Sequence, residues 1–150
     1  MAVIFKLTAL KTIEKAFTAR ANKEKIAALI IANMKQSIAA GLSPVRGVRR
    51  FVAYKNPANY PGGRKNKRPV NLYLSGAMLA ALKFYPSSGV AVTVGIKGPE
   101  GEKAVWNNDG TKHVPRRHFM PTDSGDEFSV TITRKIRDLY SRILSDILKR

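Results

Sequence analysis

Apolar and polar positions alternate along the chain with two different periods, and these divide it into elements. Ile26, Leu29, Ile30, Met34 and Ile38 fall at i, i+3, i+4, i+8 and i+12, a single stripe on a helix. Lys23, Glu24, Lys35 and Gln36 lie outside that stripe. Gly41 and Pro44 supply the stop. The spacing predicts a helix over roughly 22–40. A shorter helix carrying Leu10, Ile13 and Phe17 precedes it, with a break near Asn22, and residues 2–7 fit a short strand. At the other end Phe128, Ile132, Ile136, Leu139, Ile143 and Ile147 predict a final helix running to about Leu148. Ser124-Gly125-Asp126-Glu127 reads as a capping box that opens it. Arg134, Asp138, Arg142, Asp146 and Arg150 form an outer ladder of alternating sign, worth only about 0.2–0.5 kcal/mol per pair. A strand over Phe128-Val130-Ile132 is the alternative; the cap and the ladder favour helix.

Between these ends the period shortens. Ser75 caps a short helix from Gly76 to Phe84, which Pro86 ends. Val90, Val92, Val94 and Ile96 alternate as in a strand. Residues 97–102 read as a hairpin turn, and Lys103 to Asn107 return as its partner strand with Trp106 in the hairpin core. Asn108-Asp109-Gly110 is another turn. Pro115 makes residues 111–119 a loop or a broken edge strand. The order of elements predicts a single α+β domain over 1–150. Its plan is a small antiparallel β-sheet packed by long N- and C-terminal helices, with an extended basic arm or loop at 42–71.

That arm has no sustained period. Asn56-Pro57, Pro61-Gly62-Gly63 and Arg68-Pro69 punctuate it. Part of it, Val48 to Tyr54, alternates as a strand would. A long irregular stretch inside a compact domain is usually functional or disordered. Charge sharpens the picture. The chain has 27 Lys or Arg residues against 10 Asp or Glu, a formal net charge of +17. No acid lies between Glu24 and Glu100. Such a surface attracts polyanions, either nucleic acid or acidic protein. Cysteine is absent, which excludes disulfides, thiolate metal sites and thiol nucleophiles. No secretory signal is visible in MAVIFKL. The longest apolar run, Ile26 to Met34, is far short of a membrane span, so no membrane contact is expected.

The same residues hold few patterns that could support catalysis. His113 and His118 stand near Asp109 and Asp123, but Arg116 and Arg117 lie between the histidines and would oppose a metal ion. The expectation is a pair of solvent-facing loop histidines. Glu100 and Glu102 sit in a turn, and Asp126 and Glu127 serve a helix start. Gly62-Gly63-Arg64-Lys65 lacks phosphate-loop spacing, and Gly95, Gly98 and Gly101 lack dinucleotide spacing. No serine sits in a nucleophile-elbow context. We therefore expect no enzyme, no metal and no cofactor. The candidate contact residues are Arg46, Arg49, Arg50, Phe51, Tyr54, Lys55, Tyr60, Arg64, Lys65, Lys67 and Arg68 in the arm, with Arg116 and Arg117 outside it. They admit two readings. In one, bases bind phosphates while Phe51, Tyr54 or Tyr60 stack on nucleobases. In the other, arginine and tyrosine anchor a protein interface.

A further signal is the order of short motifs from residue 68 onward. The segment Leu72 to Ala81 holds a leucine, then serine-glycine, then small and apolar residues; Val94-Gly95 ends a strand. Ala104, Asn108, Gly110, Pro115, Arg117 and Phe119 follow at fixed spacing, and an amphipathic helix closes the chain. In this order the chain resembles the tail-completion or neck proteins of tailed bacteriophages, the head–tail joining group of virion-morphogenesis proteins. Tyr54-Lys55-Asn56-Pro57 and Tyr60-Pro61-Gly62 resemble a subset of them. The likeness spans residues 43–148. It departs at Met120-Pro121-Thr122 and in the high positive charge. The resemblance implies a structural subunit without catalytic residues or cofactors. It would form a homo-oligomeric ring between the portal or its adaptor and the tail. Its location would be the virion neck, and the host cytoplasm before assembly. Contact with DNA in the channel would be non-specific. The competing expectation, on charge alone, is a basic nucleic-acid-binding protein.

Overall fold

The computed structural model describes residues 13–54, 70, 72 and 76–149. A helical stretch, α1, covers 13–18, and the backbone breaks at Ala19, which is extended. The long helix α2 then runs Arg20–Ala39. The expected pair of helices is therefore present, with its break at Ala19 where the sequence suggested Asn22. The strand expected at 2–7 lies outside the described residues. After α2 come α3 (Ala77–Ala80), β1 (Lys83–Tyr85), β2 (Thr93–Gly95), α4 (Pro99–Asp109) and α5 (Val130–Leu148).

The fold is α+β. Strands β1 and β2 pair antiparallel, with Lys83 opposite Gly95, Phe84 opposite Val94 and Tyr85 opposite Thr93. The sheet packs on α2, and α5 packs beside it on the same helix. Ile26, Ile30 and Met34 of α2 meet Leu82 and, from α5, Ile132 and Ile143 in one core. Ile136, Leu139 and Ile147 extend that stripe, and Phe17 sets its ring 5.1 Å from Tyr140. Both apolar stripes read from the sequence thus face each other. Lys135 Nζ donates to Asn33 Oδ1 at 2.5 Å and ties the two helices at their edge. Lys23, expected outside the stripe, is buried; its Nζ donates to the carbonyl of Ser87 at 2.7 Å and holds the β1–β2 connection on α2.

A second core lies at the end of α2. Ile38, Phe51, Met78, Ala104 and Phe119 pack together, with Val70, Leu72 and Leu79 around them, and Ile96 and Met120 link this group to the first core.

Four sequence expectations fail here. The short helix stops at Ala80, because residues 83–85 pair with β2 instead; Ser75 lies outside the described residues. The 97–107 hairpin is helix α4, so β2 finds its partner before it in the chain. Gly98-Pro99 looks like a turn, but Pro99 occupies the first helical turn, where its missing N–H costs nothing, and Glu100 and Glu102 complement the helix dipole. A Cβ on Gly101 would lie 2.9 Å from the Ile96 carbonyl oxygen, so glycine lets α4 start hard against the end of β2. Trp106 is consequently on a helix surface, 50 % exposed, and not in a hairpin core. Finally, the capping box does not form. Residues 127–129 are drawn out alongside 44–46: Arg46 N–H donates to the Glu127 carbonyl and Ser129 N–H to that of Pro44. Val45 bridges Phe128, so α5 begins only at Val130. The outer ladder of α5 forms no ion pair among the described residues; Arg142 Nε instead faces the Asp138 carbonyl at 3.4 Å.

Candidate functional site

The basic segment does not stand away from the body where it is described. Residues 42–54 fold back on themselves, with Leu42 bridging Arg50 and Ser43 N–H donating to the Arg49 carbonyl. Val45 and Phe51 are buried. Phe51, a candidate stacking platform, therefore has its ring inside the second core. Arg49 and Arg50 remain exposed, and neither forms an ion pair among the described residues. Arg46 is exposed and pairs with Glu127. Lys55, Tyr60, Arg64, Lys65, Lys67 and Arg68 lie outside the described residues.

Arg117 is only 4 % exposed. Its Nε donates to the Val52 carbonyl at 3.0 Å and its Nη2 to that of Ala53 at 3.3 Å. The guanidinium sits 4.7 Å from the centre of the Tyr54 ring. Both members of that pair were candidate contact residues, and both are used to hold 52–54 against the loop after α4. An arginine suits this place because its fork meets two carbonyls while its plane lies on an aromatic face.

That loop is fastened from α4 by Asn108. The Asn108 Oδ1 accepts the backbone N–H groups of Phe119 (3.0 Å) and Met120 (2.8 Å), and its Nδ2 donates to Thr122 Oγ1 (2.9 Å) and Asp109 Oδ1 (2.9 Å). Arg117 N–H donates to the Asn107 carbonyl at 2.7 Å. At Gly110 the backbone has φ 81° and ψ 166°, a region essentially restricted to glycine. An added Cβ there would lie 2.9 Å from the Arg116 nitrogen. Phe119 is fully buried. Ala104, Asn108, Gly110, Arg117 and Phe119 thus form one staple that joins α4, the 111–122 loop and residues 51–54.

Beside the staple lies a polar cluster. His118, expected to face solvent, is 8 % exposed. Ser43 Oγ donates to its carbonyl at 2.5 Å. Arg116 Nη2 is 3.2 Å from His118 Nδ1 and 2.6 Å from Asp123 Oδ2. Arginine only donates, so Nδ1 is the acceptor and the ring proton sits on Nε2. Nε2 lies 2.9 Å from Asp126 Oδ2 but is not aligned with it, and makes no hydrogen bond. Asp126 Oδ2 also accepts the Asp123 N–H at 2.8 Å. Ligand atoms of His118, Asp123 and Asp126 all lie within 4.8 Å of one another, the spacing of a metal-ligand set. The Arg116 guanidinium already supplies the cation there, and its bond to Nδ1 puts a proton on the nitrogen that would have to ligate. Asp126 was missed because its role as a helix-start charge explained it. His113 is exposed and away from this set.

No family model, curated protein or solved structure is significantly similar to this chain. The site must be read from its own geometry. Arg116 binds both His118 Nδ1 and Asp123, and Asp126 accepts the Asp123 backbone N–H. No helix among the described residues is long and apolar enough to cross a membrane. What the surface offers is exposed Arg49 and Arg50 over a braced groove, and the exposed face of α4.

Proposed function

We propose that this chain is a structural, non-catalytic subunit of a tailed-phage virion. It acts at the neck, in a homo-oligomeric ring that joins the portal or its adaptor to the tail. The motif order from Leu72 to Phe119 suggests the family. The observation that carries the reading is the use of those motif residues: Ala104, Asn108, Gly110, Arg117 and Phe119 all serve the staple. Side chains spent on fixing backbone shape, as Asn108 and Arg117 are, suit a part that must present a rigid surface to neighbours.

Electron microscopy of lysates from a phage unable to make the chain tests this. Filled heads and separate tails, joined on adding the protein, are expected. Normal particles without it would remove the role.

The second reading, a nucleic-acid-binding protein, is favoured by the net charge of +17 and by the exposed Arg49 and Arg50, which form no ion pair among the described residues. It requires a steep salt dependence, about −0.9 in log K per phosphate neutralised on duplex. Under the neck reading, binding to free DNA is weak and independent of sequence.

A further inference from the structure

We propose that the exposed stripe of α4, formed by Glu102, Val105, Trp106 and Asp109, docks into the Arg49–Arg50 groove of a second copy of this chain. This rests on the reading above in one respect, that the chain assembles with itself; it adds which surfaces meet.

The four stripe residues fall at i, i+3, i+4 and i+7 and are all exposed, so they share one outer face. Val105 is 55 % exposed and Trp106 is 50 % exposed. A half-exposed tryptophan beside a valine is the composition of an interface anchor. The acids that flank it are out of place in so basic a chain. Glu24, Glu100, Asp123 and Glu127 each pair with a base. Glu102 and Asp109 have no cationic partner among the described residues. Glu14, Asp138 and Asp146 have none either, but both aspartates have Arg142 one turn away on α5. Along the α4 stripe the neighbours are Val105 and Trp106. Glu102 still serves the helix start. Asp109 is the last residue of α4, the end where the helix dipole favours a cation, and its partner there is the neutral Asn108 amide.

A stripe of this charge repels nucleic acid and acidic protein alike. Its partner must be basic with an apolar centre, and this chain carries such a surface. Leu42, Ser43, Val48, Arg49 and Arg50 line an open groove. The Leu42–Arg50 bridge and the Ser43 N–H bond to the Arg49 carbonyl brace its walls, so little ordering is needed on docking. Leu42 and Val48 supply apolar contact. The two guanidiniums reach carboxylates by charge-assisted hydrogen bonds and the indole by cation–π contact. Stripe and groove are different patches, so the contact is heterologous: each copy offers both, and repetition closes a ring or extends a filament.

Charge exchange in the full-length chain tests this by sedimentation velocity. One variant reverses the stripe (Glu102→Arg with Asp109→Arg), and a second reverses the groove (Arg49→Glu with Arg50→Glu). The wild type is expected to self-associate. Each variant alone should associate at least about 30-fold more weakly, the size of a hot-spot loss. Mixed together they should assemble again, since each now complements the other on both faces. Trp106→Ala should weaken association as much without changing charge. All five positions are exposed, and unchanged melting curves will verify that each variant is folded. A wild type that stays monomeric at tens of micromolar, a variant that associates normally, or a mixture that does not recover would each overturn the proposal. If association follows the exchange but particles join without the chain, the interface stands and the neck role falls. If joining needs the chain but association ignores the exchange, the role stands and this interface falls.

Discussion

The core between α2, α5 and the sheet and the core around Phe119 are held by different means. The first is a meeting of periodic stripes. Ile26, Ile30 and Met34 face Ile132 and Ile143, and any residues of similar size and pattern would bury comparable area. The second has no period. Its buried members come from the end of α2, an irregular segment, a one-turn helix, the inner face of α4 and a loop. It closes because Asn108 and Arg117 bind backbone groups of segments distant in sequence. The first core gives the chain its fold class. The second sets the position of Arg49, Arg50 and the outer face of α4.

Truncation at the centre of each core should have the largest effect. Phe119→Ala should destabilise by about 3–5 kcal/mol and Met34→Ala by about 2–5 kcal/mol in urea unfolding, since both side chains are fully buried. The comparison is sharpened by amide exchange: Phe119→Ala should release residues 42–54 and 111–122 before α5, and Met34→Ala should loosen α2 and α5 together. Equal loss of protection everywhere would mean a single undivided core. Asn108→Ala comes next. It orphans the N–H groups of Phe119 and Met120, and a loss of about 1–3 kcal/mol is expected. Asn108→Asp keeps the acceptor and should recover part of the loss. Gly110→Ala forces a Cβ into a backbone region nearly closed to it, against Arg116, and should cost at least about 1 kcal/mol. The smallest effect belongs to the exposed ladder: Arg142→Ala should change stability by no more than about 0.5 kcal/mol. A larger change would mean that the ladder contributes through ion pairs the folded geometry does not form.

How much of this could be read from the sequence follows the same division. The α2 and α5 stripes, the α+β class and the β2 segment were legible, because burial imposes a period on the residues that meet it. The rest was decided by partners far away in sequence. Val45 draws Phe128 into a bridge, which cancels a capping box that local signals supported. Gly98-Pro99 fits a turn and a helix start equally well, and the close approach of Gly101 to Ile96 selects the helix. Arg117 and His118 looked like surface cations and loop histidine because nothing local announces the carbonyls of Val52 and Ala53 or the carboxylate of Asp126. One signal was available: Asn108-Asp109-Gly110 reads as a turn, and the positive φ of Gly110 gives the physical reason.

The central claim is that the staple and its neighbouring polar cluster hold a joining surface and carry out no reaction. It is tested most directly by adding purified variants to lysates that lack the chain and counting joined particles. His118→Gln, Asp123→Asn and Asp126→Asn should each restore joining in proportion to the fraction of chain that is folded. A variant that is fully folded, assembles as the wild type does and yet joins no heads to tails would contradict the account, and would place chemistry in the cluster.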